Sequence, residues 1–275
     1  MKISTIYKSA NVLGESPFWH SDKQSVFWVD IEQCTVHELN LNTDQHQSWN
    51  VGRRVSVILK ADGDALVIGV QGGIMNLDLT TGNTKILIPV DQNNPKHRCN
   101  DGAIDSTGRI WVGTMEEHGE ENAGGLFKIE GENVEKIIEN ITIPNGITWS
   151  HNNKTMYFTD TMNSVIKSYA FEPEKGNITF VKNAITIPED MGMPDGLTID
   201  REGMLWIALY GGSGISRWHP DSGDLLRFIK LPALNITNCC FVGKDLVVTS
   251  AKENLTDQQL AQYPESGNLF LISEL

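Results

Sequence analysis

One pattern recurs six times along the chain at intervals of 41 to 50 residues, and this period constrains the fold more than any composition value does. Each copy opens on a polar residue at the head of an apolar run: Glu15, Ser56, Asn100, Asn145, Asp195 and Asn238. In four copies an aromatic residue of a second apolar run follows 11 or 12 residues later, at Phe27, Trp111, Tyr157 and Trp206. Polar turns such as Asp105-Ser106-Thr107-Gly108 and Asp200-Arg201-Glu202-Gly203 separate the two runs, as tight hairpins require. A second hairpin closes several units, with Gly82-Asn83, Gly176-Asn177 and Gly223-Asp224 between alternating apolar and polar residues. Four strands in 40 to 50 residues is the period of a propeller blade, so the expected fold is all-β: a six-bladed β-propeller of four-stranded antiparallel blades.

The two ends predict how that ring closes. The last unit offers only three strands, near Ile236–Phe241, Asp245–Ser250 and Gly267–Ser273. The spare run Ile3–Lys8 supplies the missing fourth, which removes the exposed edges an open sheet must protect. No linker or low-complexity stretch interrupts the series, so residues 1–275 are expected to form a single β-propeller domain.

Composition narrows the partners. A net charge of −13 and an isoelectric point near 4.9 repel polyanions, which argues against nucleic acid and anionic membranes as partners. No apolar stretch is long enough to span a bilayer or to act as a signal h-region. The four cysteines, Cys34, Cys99, Cys239 and Cys240, lack C-x-x-C spacing and are expected to be reduced thiols of a cytoplasmic protein, monomeric or weakly dimeric. No serine sits in a G-x-S-x-G elbow, and the glycine pairs lack the strand-to-helix context of a phosphate cradle, so no nucleotide cofactor is implied.

In a propeller the first strand of every blade lines the central channel. Glu15, Asn100, Asn145 and Asp195 share one position of the repeat, so rotational pseudosymmetry points them at one spot near the channel mouth. Two carboxylates and two amide carbonyls offer only oxygen, a donor set that suits Ca²⁺, Mg²⁺ or Mn²⁺ and leaves Zn²⁺ or Fe²⁺ open. The competing reading treats Asn145-Gly146 and Asp195-Gly196 as turn dipeptides shaped by Pro144 and Pro194. Recurrence in register favours the site.

The segments GESPFW, RCNDGAIDSTGRIWVGTM, IPNGITWS, MPDGLTIDREGMLWIALYGG and NCCF, spread in order over nearly the whole chain, resemble the regucalcin and gluconolactonase family of six-bladed propeller lactonases. That resemblance implies one divalent metal ion on Glu15, Asn145 and Asp195, with Asn100 beside it and Arg98 contacting substrate hydroxyls. The family's further sugar-binding Glu, three residues past the Gly-Thr-Met triplet, is matched by His118, which puts sugar preference in question unless Glu116 or Glu117 takes over. The implied reaction is hydrolysis of an aldono-1,4- or 1,5-lactone to the aldonic acid. The metal would polarise the carbonyl and Asp195 would act as general base, with water ionised at the cation as the alternative nucleophile. Arg53 and Arg54 lie near the same mouth and offer a reception point for an anionic lactone. A phosphotriester or aryl-ester hydrolase with a second, deeper cation, and a non-catalytic calcium-binding propeller, are the alternative functions.

Overall fold

A computed structural model describes residues 1–275 and shows six four-stranded antiparallel sheets arranged as a six-bladed β-propeller. Blade 1 runs Gly14–His20, Ser25–Asp30, Thr35–Asn40 and His46–Asn50, from the channel outward. Blades 2 to 5 repeat this order, their innermost strands being Val55–Asp62, His97–Ile104, Pro144–Trp149 and Met193–Ile199. Blade 6 takes Asn235–Val242, Asp245–Ala251 and Leu269–Ser273 from the C-terminal end and Lys2–Tyr7 from the N-terminal end. The first strand of the chain is therefore the outermost strand of the last blade, as the missing fourth strand predicts.

The second strand of each blade is the most apolar, because both of its faces are covered by neighbouring blades. Ser25–Asp30 is buried along its whole length, and Trp28 and Trp111 are wholly inaccessible. Outermost strands are instead largely exposed or half-buried. Lys2–Tyr7 lies against Leu269–Ser273, and Tyr7 stacks on His46 of blade 1 with ring centroids 4.4 Å apart, so the ring is also fastened across its seam.

One helix departs from the all-strand expectation. Asp257–Gln262 forms a short turn of α-helix between the second and third strands of blade 6, started by a capping box in which Thr256 accepts from the Gln259 amide. No helix is long and apolar enough to cross a membrane.

A local irregularity recurs where function is expected. In all six innermost strands the pairing register slips at the site position: after Glu15, Val55, Cys99, Pro144, Pro194 and Ile236. A bulge inserts an unpaired residue and re-aims side chains. Asn145-Gly146 and Asp195-Gly196 are thus bulges inside strands, not turns, and the turn-dipeptide reading fails. Gly196 is required by proximity: a Cβ there would meet the Asn238 side chain at 2.1 to 2.4 Å.

Candidate active site at the channel mouth

Glu15, Arg98, Asn100, Asn145 and Asp195 all line one cavity of about 390 Å³ at the end of the channel where the innermost strands begin. Each is more than nine-tenths buried, although all are charged or amide side chains. The cavity walls come from the loops that follow the second strands, contributing Glu32, Glu117, Thr161, Tyr210 and Glu253.

A chain of hydrogen bonds runs around the mouth. Arg98 Nη1 donates to Asn100 Oδ1 at 2.5 Å, and Asn100 Nδ2 donates to Asn145 Oδ1 and to the Pro144 carbonyl, each at 2.7 Å. Asn145 Nδ2 donates to Thr161 Oγ1, whose hydroxyl donates to the Pro194 carbonyl beside Asp195, both at 2.8 Å. Blades 3, 4 and 5 are locked in sequence, so the Asn145 carbonyl oxygen is presented in one orientation. The Arg98 Nε stays buried without a partner.

The carboxylates are less well provided for. Burial, followed by repulsion from Asp101, pushes Glu15 up to about 8. Burial and repulsion from Glu15 and then Asp101 raise Asp195 well above the usual carboxylate range, and burial lifts Asp101 to about 6. Arg98 opposes these shifts for Glu15 and Asp195, but burial lowers its own affinity for a proton. Three acids facing one cation is an electrostatic deficit that a bound divalent ion would cancel.

The rim corrects one expectation. Arg54 Nη2 donates to Glu32 Oε2 at 2.8 Å and its Nη1 to Glu117 Oε2 at 2.6 Å, so its charge is already matched by two acids. Arg53 is turned away and donates to the Gln71 carbonyl. Arg54 is thus not free to receive an anionic substrate, and Arg53 does not line the cavity. His118 reaches the cavity edge but keeps 77% of its side chain exposed, while Glu117, one residue earlier, lines the wall with 24% exposed. Ligand-capable atoms of Glu116, Glu117 and His118 lie within 4.8 Å of one another. Those donors are engaged, however: Glu116 accepts the His118 and Glu120 amides, and Glu117 holds Arg54. The segment 90–97 does not cover the cavity; Asp91 ties it down through His97 Nδ1 at 2.6 Å and Asn94 Nδ2 at 2.6 Å.

Sequence reasoning missed Glu32, Asp101 and Glu253 as site residues. Glu32 and Glu253 follow second strands, as Glu117 and Thr161 do, so position in the repeat carried the signal. Asp101 was hidden by strand alternation, which would turn it away from a channel that Asn100 faces; the bulge after Cys99 brings both inward.

Comparison with known proteins identifies the family and agrees with the fold. The profile of the SMP-30/Gluconolactonase/LRE-like region matches residues 13–252. Regucalcin of Sus scrofa is 31% identical over 284 residues, covering 100% of this chain and 95% of its own. The Bacillus subtilis (strain 168) protein YvrE, whose name provisionally assigns a sugar lactone lactonase, is 30% identical over 264 residues, covering 94% of this chain and 90% of its own. The crystal structure of regucalcin from Agrobacterium tumefaciens str. C58, described as a calcium-binding protein, superposes with a TM-score of 0.93 at 27% identity, over 98% of this chain and 92% of that one. With the profile spanning most of the propeller, this chain belongs to the SMP-30/gluconolactonase/LRE-like family.

Proposed function

We propose that the protein is a lactonase that hydrolyses an aldono-1,4- or 1,5-lactone to the aldonic acid, with one divalent cation held by Glu15, Asn145 and Asp195. One observation carries this reading: two buried carboxylates and an oriented amide oxygen from three blades face one cavity with a shortage of positive charge. The donor set is all oxygen, which fits Ca²⁺, Mg²⁺ or Mn²⁺ and admits Zn²⁺ or Fe²⁺. The calcium binding described for the Agrobacterium regucalcin supports Ca²⁺ as a candidate.

When bound, such an ion supplies Lewis-acid polarisation of the lactone carbonyl. The chain does the rest. Asp195 accepts a proton from the attacking water through its carboxylate and returns it to the ring oxygen as the acyl C–O bond breaks, leaving the hydroxy acid. Asn100 has spent its amide protons on Asn145 and Pro144, so it offers substrate only the remaining lone pair of Oδ1, an acceptor for a sugar hydroxyl. Arg98, which lines the cavity, contributes the complementary donor through Nη2, since Nη1 is held by the Cys99 carbonyl and Asn100 Oδ1 and Nε is sealed from the cavity. Glu117, fixed by Arg54, and His118 at the edge supply the outer hydroxyl contacts. A wall with Glu32, Glu117 and Glu253 favours a neutral polyhydroxylated lactone over an anionic one.

The non-catalytic alternative explains the cation ligands but gives no role to a buried arginine, Arg98, on the cavity wall beside Asn100. The four unpaired thiols support a cytoplasmic setting, and a monomer or weak dimer is expected. A lactone panel, neutral and anionic, assayed by pH indicator on chelated protein and on protein reloaded with each cation, tests the proposal. Metal-restored turnover of a neutral aldonolactone is the expected result, whereas turnover of aryl esters or phosphotriesters alone would replace the reading.

A further inference from the structure

Of the six repeat positions around the channel mouth, those of blades 2 and 6 hold Ser56 and Asn238, neither of them a proposed cation ligand or substrate contact. In blade 2, Ser56 is buried and its hydroxyl has no hydrogen-bond partner. Its counterpart in blade 6, Asn238, is fully engaged. Asn238 Oδ1 accepts the Cys239 amide at 2.8 Å, which fixes the orientation of the side-chain amide. Its Nδ2 then donates to Glu15 Oε2 at 2.9 Å and faces Asp101 Oδ2 at 3.5 Å. The same side chain packs on Gly196, next to Asp195. One amide thus touches the site segments of blades 1, 3 and 5.

The consequence falls on Glu15. Its Oε2 receives both the Ser16 amide, at 2.7 Å, and Asn238 Nδ2, while no donor within the protein reaches Oε1. We propose that Asn238 is a positioning residue for the cation site: by saturating Oε2 it leaves Oε1 as the single oxygen that Glu15 presents to a divalent ion. This rests on the reading of Glu15 as a metal ligand. Partners that orient a ligand in this way commonly account for a 10- to 100-fold difference in metal affinity, here expected at about that size. Ser56, which orients nothing, is the internal control.

Calorimetric titration of chelated protein with Mn²⁺ decides it, with gluconolactone kinetics at saturating Mn²⁺ as a second readout. Asn238→Ala is expected to bind Mn²⁺ about 10- to 100-fold more weakly. Its KM should stay near the wild-type value, and most of kcat should return once the ion is saturating. Ser56→Ala should bind as wild type does. If Asn238→Ala does not fold, Asn238→Ser, a small polar side chain too short to span to Oε2, carries the same expectation. Unchanged Mn²⁺ affinity in a folded Asn238 variant would overturn the proposal while leaving the lactonase reading intact. Failure of the wild type to bind Mn²⁺ or any other divalent cation would overturn both.

Discussion

Asp195 and Asp200 stand five residues apart, at opposite ends of one strand, and their environments differ in almost every physical respect. Asp200 closes the hairpin after Met193–Ile199. Its Oδ1 accepts the amides of Glu202 at 2.9 Å and Met204 at 3.0 Å; its Oδ2 accepts Trp206 Nε1 at 3.0 Å and Arg217 Nε at 2.6 Å. Asp105 repeats the arrangement in blade 3, with the Thr107 and Arg109 amides, Trp111 Nε1 at 3.0 Å and Arg109 Nε at 2.8 Å. The hydrogen bonds from tryptophan and arginine hold both carboxyls below their ordinary value despite burial. At the other end, Asp195 is raised by burial and by neighbouring acids. A carboxylate whose lone pairs are filled by the protein stabilises the fold. One left unfilled among like charges is held by the fold for something else.

The largest effects should separate these two kinds of acid. Asp195→Asn and Glu15→Gln are expected to lower kcat/KM by about 10³-fold or more, since each removes a group that acts at the reacting centre. In the chelated state both variants should unfold at the same or a higher temperature than wild type, because a buried carboxyl crowded by other acids is replaced by a neutral amide. Asp105→Asn should do the reverse. It breaks a pair in which Asp105 and Arg109 are almost wholly buried, lowering stability by about 3 kcal/mol in urea unfolding while kcat/KM of the folded enzyme stays within about twofold.

Stability against pH sharpens the contrast. Glu15 has an ordinary value of 4.5 and about 8 in the fold, so its contribution is fully present below 4.5 and is lost as pH rises through about 8. Chelated protein should therefore melt at progressively lower temperature across that window, and a bound cation should flatten the slope. For Asp105 and Asp200 the sign is opposite: their contribution is present above the ordinary 3.8 and is lost as pH falls below it. Thermal melts of Glu15→Gln should show a reduced alkaline slope and those of Asp200→Asn a reduced acid slope, the remaining carboxyls of each kind keeping the rest.

Smaller effects are expected at the rim. Arg54→Ala frees Glu32 and Glu117 to move and should raise KM for a neutral lactone roughly three- to tenfold, about 1 kcal/mol, with kcat nearly unchanged. His118→Ala should alter KM less than about twofold, since its ring is mostly solvated. Steady-state kinetics on one aldonolactone ranks the two.

The fold was legible because blades repeat, and so were the four channel-mouth residues: position in a repeat fixes position around an axis. Even the ring closure could be read, from a unit lacking a strand. What could not be read depends on departures from strand regularity. The bulges that turn Asp101 into the channel carry no signature beyond glycine, and the donation from Asn238 to Glu15 joins residues 223 apart in sequence. The rim arginines were misjudged for a related reason. Arg54 is neutralised by Glu32 and Glu117, which come from the blades on either side and meet only once three consecutive blades have packed together.

The central claim is that Glu15 and Asp195 are acids kept for a cation, and calorimetric titration of chelated wild type, Glu15→Gln, Asp195→Asn and Asp200→Asn with Ca²⁺ and Mn²⁺ tests it most directly. Wild type and Asp200→Asn should bind one ion per chain, releasing protons as the raised carboxyls ionise, while the two channel variants lose that binding. Equal affinity in all four proteins, or no binding by the wild type, would contradict the account.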